Sequence, residues 1–210
     1  MDIQALAAAK LASSGLDIEH LSQLALEVLT GQQVQTLSPK FLALPALRIN
    51  YLAPDRSPIS DWPGCEPYFR LRYLDTPQGF DAIAGKKAPR YVQLPSTAPV
   101  AYFAPNQEWP DLLADPDCPL IITEGELKAL AACQAGFPTL GLGGVYSWRS
   151  LPKGLTWLPS LDLVTWQRRN VYLCFDSDYK TNPQVCGALA RLAESLHDRG
   201  AFVQLLTLPP

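Results

Sequence analysis

What the chain lacks narrows the field first. Its 210 residues contain no run of 18 or more apolar positions, so no membrane-spanning helix is expected. The opening Met1-Asp2-Ile3-Gln4 has neither the basic start nor the apolar core of a secretory signal, and a cytoplasmic location is the expectation. Cysteine is sparse: Cys65, Cys118, Cys133, Cys174 and Cys186 are odd in number and show no Cys-x-x-Cys spacing. That argues for free thiols in a reducing compartment rather than a zinc site or a disulfide framework. The two histidines, His20 and His197, fall on expected helices with no partner motif, and no Ser-His-Asp or Cys-His arrangement is visible. Nor is there an excess of positive charge, with 17 basic against 20 acidic side chains and a net charge of −3. Such a chain does not attract nucleic acid through its overall field, so contact with a polynucleotide requires a local basic patch or a bridging metal.

What is present supports a packed core, since 48% of the residues are hydrophobic and only 18% charged. Twenty prolines stand against thirteen glycines, and the prolines crowd between Leu44 and Pro119, where rigid turns and short strands are expected. Three textures follow one another. Residues 1–35 read as a helical segment: Ala5 to Ala9 favour helix, Ser14-Gly15 breaks it, and Ile18, Leu21, Leu24 and Leu26 give a second helical stripe. Residues 40–110 read as a small antiparallel β-rich unit. Leu47 to Leu52 and Tyr68 to Leu74 alternate apolar and polar positions, and Tyr91 to Leu94 and Val100 to Phe103 add two shorter runs. Residues 111–210 read as an α/β domain whose four strands, Pro119–Thr123, Pro138–Leu142, Val171–Phe175 and Ala201–Leu208, alternate with helices over 126–134 and 183–199. Alternation of this kind implies right-handed crossovers and a mostly parallel sheet. Trp148, Trp157 and Trp166 lie in a mixed helix-and-loop stretch and are expected to supply packing bulk.

In a parallel sheet, ligands bind beyond the carboxyl ends of the strands. Two strands here end in acid. Ile121-Ile122-Thr123 leads to Glu124 and then Gly125, which allows a tight turn; Leu173-Cys174-Phe175 leads to Asp176-Ser177-Asp178. Residues i and i+2 of an extended chain point the same way, so Asp176 and Asp178 can face one pocket. Carboxylates that close repel unless a cation lies between them, and an oxygen-only ligand set suits Mg²⁺ or Mn²⁺.

These motifs resemble the TOPRIM fold shared by bacterial primases, type IA and type II topoisomerases and certain nucleases. The strand ending in Glu-Gly and the helix after it, Glu124-Gly125-Glu126-Leu127-Lys128-Ala129, resemble the fold's first motif; Asp176-Ser177-Asp178 resembles its second. With the glycines Gly141 to Gly144 and the closing strand Gly200 to Pro209, the order is similar to that in TOPRIM-like domains of replication primases carried by plasmids, phages and other mobile elements. The resemblance covers about residues 117–209. It implies a TOPRIM-like four-stranded sheet flanked by helices, preceded by N-terminal helices and the small β unit. It implies Mg²⁺ (or Mn²⁺) held by Glu124, Asp176 and Asp178, with Glu124 as metal ligand or general acid/base, and Lys128 near the phosphate. The activity implied is primase-type nucleotidyl transfer or nuclease cleavage on single-stranded DNA or RNA, within DNA replication. A non-catalytic module that docks nucleic acid or a helicase is the alternative. The chain departs from well-studied relatives in having no zinc-ribbon cysteines and no polymerase-type core before the domain, so further replication domains are expected elsewhere.

Several basic residues extend the picture. Lys180 and Asn182 follow the acid pair and are candidates for a backbone phosphate, as is Lys128, which a solvated helix face explains equally well. Arg70 and Arg72 alternate with Phe69, Leu71 and Tyr73 and fit single-stranded nucleic acid, or a half-exposed strand over an aromatic core. Lys86, Lys87 and Arg90 form the densest basic cluster. Gly141-Leu142-Gly143-Gly144 lacks the spacing of a dinucleotide fingerprint and fits a phosphate-receiving nest or a tight turn instead.

Overall fold

The computed structural model describes residues 2–60, 66–75, 81–82, 86–87, 89–175 and 182–207. Helix α1 (Ile3–Ala12) starts where the Asp2 carboxylate accepts from the Gln4 N–H, and stops before Gly15, whose φ is +74°. The second helix expected from Ile18, Leu21, Leu24 and Leu26 does not form. A single 3₁₀ turn, Ile18–His20, is followed by a strand, β1 (Leu26–Leu29). Leu26 is buried and β1 pairs with a neighbouring strand along its whole length, so sheet pairing overrides the helical spacing. Helix α2 (Gly31–Leu37) begins with a reciprocal capping box between Thr30 and Gln33.

Strands β2 (Ala46–Asn50), β3 (Phe69–Tyr73) and β6 (Tyr91–Gln93) fall within the alternating runs, and two short strands, β4 (Asp81–Ala82) and β5 (Lys86–Lys87), pair with each other between β3 and β6 in the chain. The antiparallel sheet runs β1-β2-β3-β6. Its core gathers Val34, Phe41, Ala46, Phe69, Leu71 and Tyr73. The N-terminal helices and this sheet belong to one unit, Met1–Tyr51 with Pro58–Thr97; Leu52–Ser57 with Ala98–Pro210 forms the other.

The second unit contains β7 (Tyr102–Phe103), α3 (Trp109–Ala114), β8 (Leu120–Glu124), α4 (Glu126–Gln134), β9 (Thr139–Leu142), β10 (Asn170–Cys174), α5 (Pro183–His197) and β11 (Phe202–Leu205). The run at Val100–Phe103 thus belongs to this unit and not to the β-rich one. It pairs antiparallel with β9 and makes a fifth, edge strand on a sheet expected to have four. The order is β11-β10-β8-β9-β7, and every pair but β7·β9 is parallel. Burial explains the pattern: Leu120, Ile122, Leu140, Leu142, Val171 and Leu173 are all inaccessible or nearly so. Helix α4 packs on β8 and β9, and α5 on β11. Among the described residues Cys118, Cys133, Cys174 and Cys186 are free thiols, and no helix is long and apolar enough to cross a membrane.

The stretch 149–168 folds as 3₁₀ turns at Leu151–Lys153 and Pro159–Leu161 rather than a long helix. Trp148, Trp157 and Trp166 form a buried chain of rings with successive centroids 6.0 and 6.1 Å apart, and the Arg199 guanidinium lies 3.9 Å over Trp157.

Arg169, just before β10, is buried completely. Its Nε donates to Thr165 O at 2.7 Å, Nη1 to Leu112 O at 3.0 Å and Cys118 O at 2.7 Å, and Nη2 to Leu113 O at 2.8 Å. Two of those carbonyls close α3, where the helix leaves acceptors without donors and the dipole favours a cation. Burial pulls the Arg169 pKa down from its usual value, and the carbonyl acceptors replace the lost water. Arg169→Met keeps an apolar stem but removes the guanidinium that serves four carbonyls, of which Leu113 O retains the Thr165 N–H at 3.0 Å. We expect a loss of about 3 kcal/mol or more, since each buried acceptor left without a donor costs about 1–3 kcal/mol. It would be read as a lowered urea midpoint at an unchanged m-value; a midpoint within error of wild type would refute the role given to this side chain.

Candidate functional site

The strand order determines where a site can form. Numbered within the parallel set, β8, β9, β10 and β11 lie in the order 2-1-3-4, so the crossovers from β8 to β9 and from β10 to β11 leave in opposite directions. The crevice of such a sheet opens at the carboxyl ends of the two strands where the direction changes, here β8 and β10. The register aligns Thr123 with Cys174 on one side of β8, and Glu124 with Leu142 of β9 on the other.

Glu124 is the last residue of β8 and is partly exposed at that edge. Gly125 follows at φ +100° and ψ 143°, a conformation essentially restricted to glycine, and its N–H still bonds Leu142 O at 2.8 Å. One residue therefore extends the strand pairing and starts α4. Gly141 lets that helix approach: a Cβ there would meet Ala129 Cβ and Tyr102 Cβ at 3.2 Å and Gly125 O at 3.3 Å.

Glu126, in the first turn of α4, is completely buried. The helix's positive end favours its carboxylate. Tyr102, equally buried on β7, has its pKa pushed well up by desolvation and then by the negative charge of Glu126, so the hydroxyl keeps its proton at neutral pH. The sequence placed Glu126 in a motif without giving it a role, and had no signal that Tyr102 would lie beside it. Lys128 is exposed on α4.

On the other flank, Phe175 is buried and the chain then enters Asp176. Asp176, Asp178 and Lys180 lie outside the described residues. Asn182 caps α5, its side-chain oxygen accepting from the Gln184 N–H at 3.1 Å. Neither Gly141 within β9 nor Gly143 and Gly144 after it has the positive φ of an αR-αL nest; Ser147 N–H closes a turn onto Gly144 O at 2.8 Å. The turn is the alternative realised. Among the described residues no three His, Cys, Asp or Glu side chains gather as metal ligands.

Arg70 and Arg72 belong to the other unit. They project from β3 opposite the buried Phe69, Leu71 and Tyr73, with guanidinium carbons 5.1 and 5.5 Å from the Tyr91 ring centroid. Arg48 lies 4.3 Å over Phe69 and pairs with Glu66 at 2.6 Å. Arg90 is exposed; the side chains of Lys86 and Lys87 lie outside the described residues.

Because Gly125 holds a glycine-only conformation, Gly125→Ala should cost about 1–3 kcal/mol in unfolding free energy. Gly15→Ala, at φ +74° on the other unit with open space around it, should cost less, about 1–2 kcal/mol. Equal urea midpoints for the Gly125→Ala variant and wild type would contradict this account.

A family model described as a domain of unknown function, DUF3854, matches residues 108–210. An uncharacterized protein of Picosynechococcus sp. is 36% identical over 110 residues, a match that covers 47% of this chain and 11% of that protein. The chain therefore spans only a small part of the length of that relative. No solved structure matches the chain.

Proposed function

We propose that the unit carrying the parallel sheet is a TOPRIM-like, nucleic-acid-processing domain of a mobile-element replication protein. It performs Mg²⁺-dependent phosphoryl transfer on single-stranded DNA or RNA in the manner of a primase. The observation that carries this reading is the strand order: β8, ending in Glu124, lies directly beside β10, after which the sequence continues into Asp176-Ser177-Asp178, at the sheet's point of diverging crossovers. The match to a family of unknown function spans the same stretch and neither names nor opposes this chemistry.

The donor chemistry suits the metal. Glu124 offers hard oxygen at a partly exposed edge, as an ion that keeps several waters requires, and Asp176 and Asp178 supply the same donor type. Those three residues would hold Mg²⁺, or Mn²⁺, which when bound neutralises charge on the phosphate and activates an attacking oxygen. Glu124 is also the base able to accept the proton of an attacking hydroxyl. Lys128, exposed on the helix that starts beside Glu124, pairs with a phosphate oxygen, and the first-turn N–H groups of α4 favour the same anion. Tyr102, buried on the neighbouring edge strand, keeps its proton and adds no charge of its own.

Titration calorimetry with Mg²⁺, alone and with an oligonucleotide, tests the site. Wild type should bind the ion, and Glu124→Gln and Asp176→Asn/Asp178→Asn should not. Primer synthesis on a single-stranded template should fall about 10²- to 10⁴-fold in Glu124→Gln, the range for loss of a general base. Metal binding with neither synthesis nor cleavage would make the domain a docking module for nucleic acid or a helicase. A wild type that takes up no metal under either condition would refute the carboxylate site.

A further inference from the structure

The loop leaving β9 carries a cation and two aromatic rings to which the reading above gives no task. Tyr146 is 41% exposed, yet it is fixed: its hydroxyl donates to Gln184 O at 3.0 Å. Gln184 lies in the first turn of α5, after β10, whereas Tyr146 follows β9; β8 lies between those two strands in the sheet. The bond therefore ties the two flanks of the carboxyl edge together across the position of β8, whose last residue is Glu124.

Arg149 follows in the same loop and is half-buried. Its guanidinium carbon lies 4.7 Å from the ring centroid of Trp148, which is buried, and 5.7 Å from that of Tyr146. Among the described residues it forms no ion pair. Two ring faces hold the guanidinium in place, which leaves its fork of N–H donors for an acceptor outside the fold. A guanidinium so pre-oriented matches the paired oxygens of a phosphate. We propose that Arg149, aligned by Trp148 and Tyr146, is a phosphate-binding residue of the carboxyl edge. The exposed Tyr146 ring is the face on which the attached nucleobase stacks. This rests on the reading of that edge as a nucleic-acid site, and it requires no metal.

Binding is measured on the full chain by fluorescence anisotropy, in Mg²⁺-free buffer at several salt concentrations. A labelled single-stranded oligothymidylate is one probe and a fluorescent ATP analogue the other. Arg149→Met should weaken oligothymidylate binding roughly 10- to 100-fold, as expected for a hydrogen-bonded charged contact. The slope of log affinity against log salt should shrink by about 0.7, one phosphate contact on a single strand. Arg149→Lys should keep the slope and lose part of the affinity, and Tyr146→Leu should weaken binding at an unchanged slope. Loss confined to the oligonucleotide assigns the contact to a polynucleotide backbone; loss confined to the ATP analogue assigns it to a free nucleotide. Affinity and slope unchanged in a folded Arg149→Met, or affinity unchanged in Arg149→Lys, would overturn the proposal. If that happens while Glu124→Gln still abolishes Mg²⁺ uptake, the carboxylate reading survives alone. If Arg149→Met loses both probes while wild type takes up no Mg²⁺, Arg149 survives and the metal chemistry does not. A wild type that binds neither probe refutes the role given to Arg149 and leaves the carboxylate reading to the Mg²⁺ titration.

Discussion

A guanidinium sealed from water, its donors spent on carbonyl oxygens, fixes the geometry of the parallel sheet. Arg169 draws together the end of α3, the residue before Pro119 and the turn before β10. Its backbone meanwhile accepts from Phe202 N–H, at the foot of β11. Three strands are thereby set in register at their amino ends, with Val171 opposite Leu120 and Asn170 opposite Phe202. Strands rise by about 3.3 Å per residue, so the choice made there is carried along the sheet to the far edge. Glu124 lies six positions further along that ladder than the level of Arg169, so its place beside β10 follows from the register held there.

The two edges of the sheet divide the work. At the amino edge the polar groups are buried and satisfied by one another, which serves stability. At the carboxyl edge Glu124 is partly exposed, Lys128 is exposed, and the loop after β9 presents Tyr146. Glycine makes this possible at two points of different kind: Gly125 through its backbone angles, and Gly141 by leaving room for α4 to settle on β9. The buried Glu126 and Tyr102 place a carboxyl group and a retained phenolic proton close to the strand end.

Much of the α/β arrangement was legible because its signals are local. The unbroken apolar runs of β8 and β10, the start of α4 after Gly125 and the Pro183–Gly200 punctuation of α5 each lie within a few residues of the element they define. The place of Glu124 at the end of β8 was legible for the same reason, since a strand and the residue at its tip are contiguous; Asp176 and Asp178 lie outside the described residues. What escaped depends on distant partners. Leu26 fits a helical stripe until β2 pairs with it, and Tyr102-Phe103 reads as part of the proline-punctuated β run until β9 recruits it as an edge strand. Arg169 looks like one more surface cation in Arg168-Arg169-Asn170, because nothing near it announces three carbonyls more than fifty residues upstream. Arg149 and Tyr146 gave no signal either; their neighbours in space are rings and a carbonyl supplied by the fold.

The separation in chain between Arg169 and its partners also orders events during synthesis. Leu112, Leu113 and Cys118 leave the ribosome 57, 56 and 51 residues ahead of the side chain that satisfies their carbonyls. Until it arrives, β8 lacks its β10 neighbour, and the carbonyls of Leu112 and Cys118 lack the donor that the folded chain gives them. Closing a loop of that length costs entropy before any contact repays it, so the contribution of Arg169 to this half of the protein comes late in synthesis.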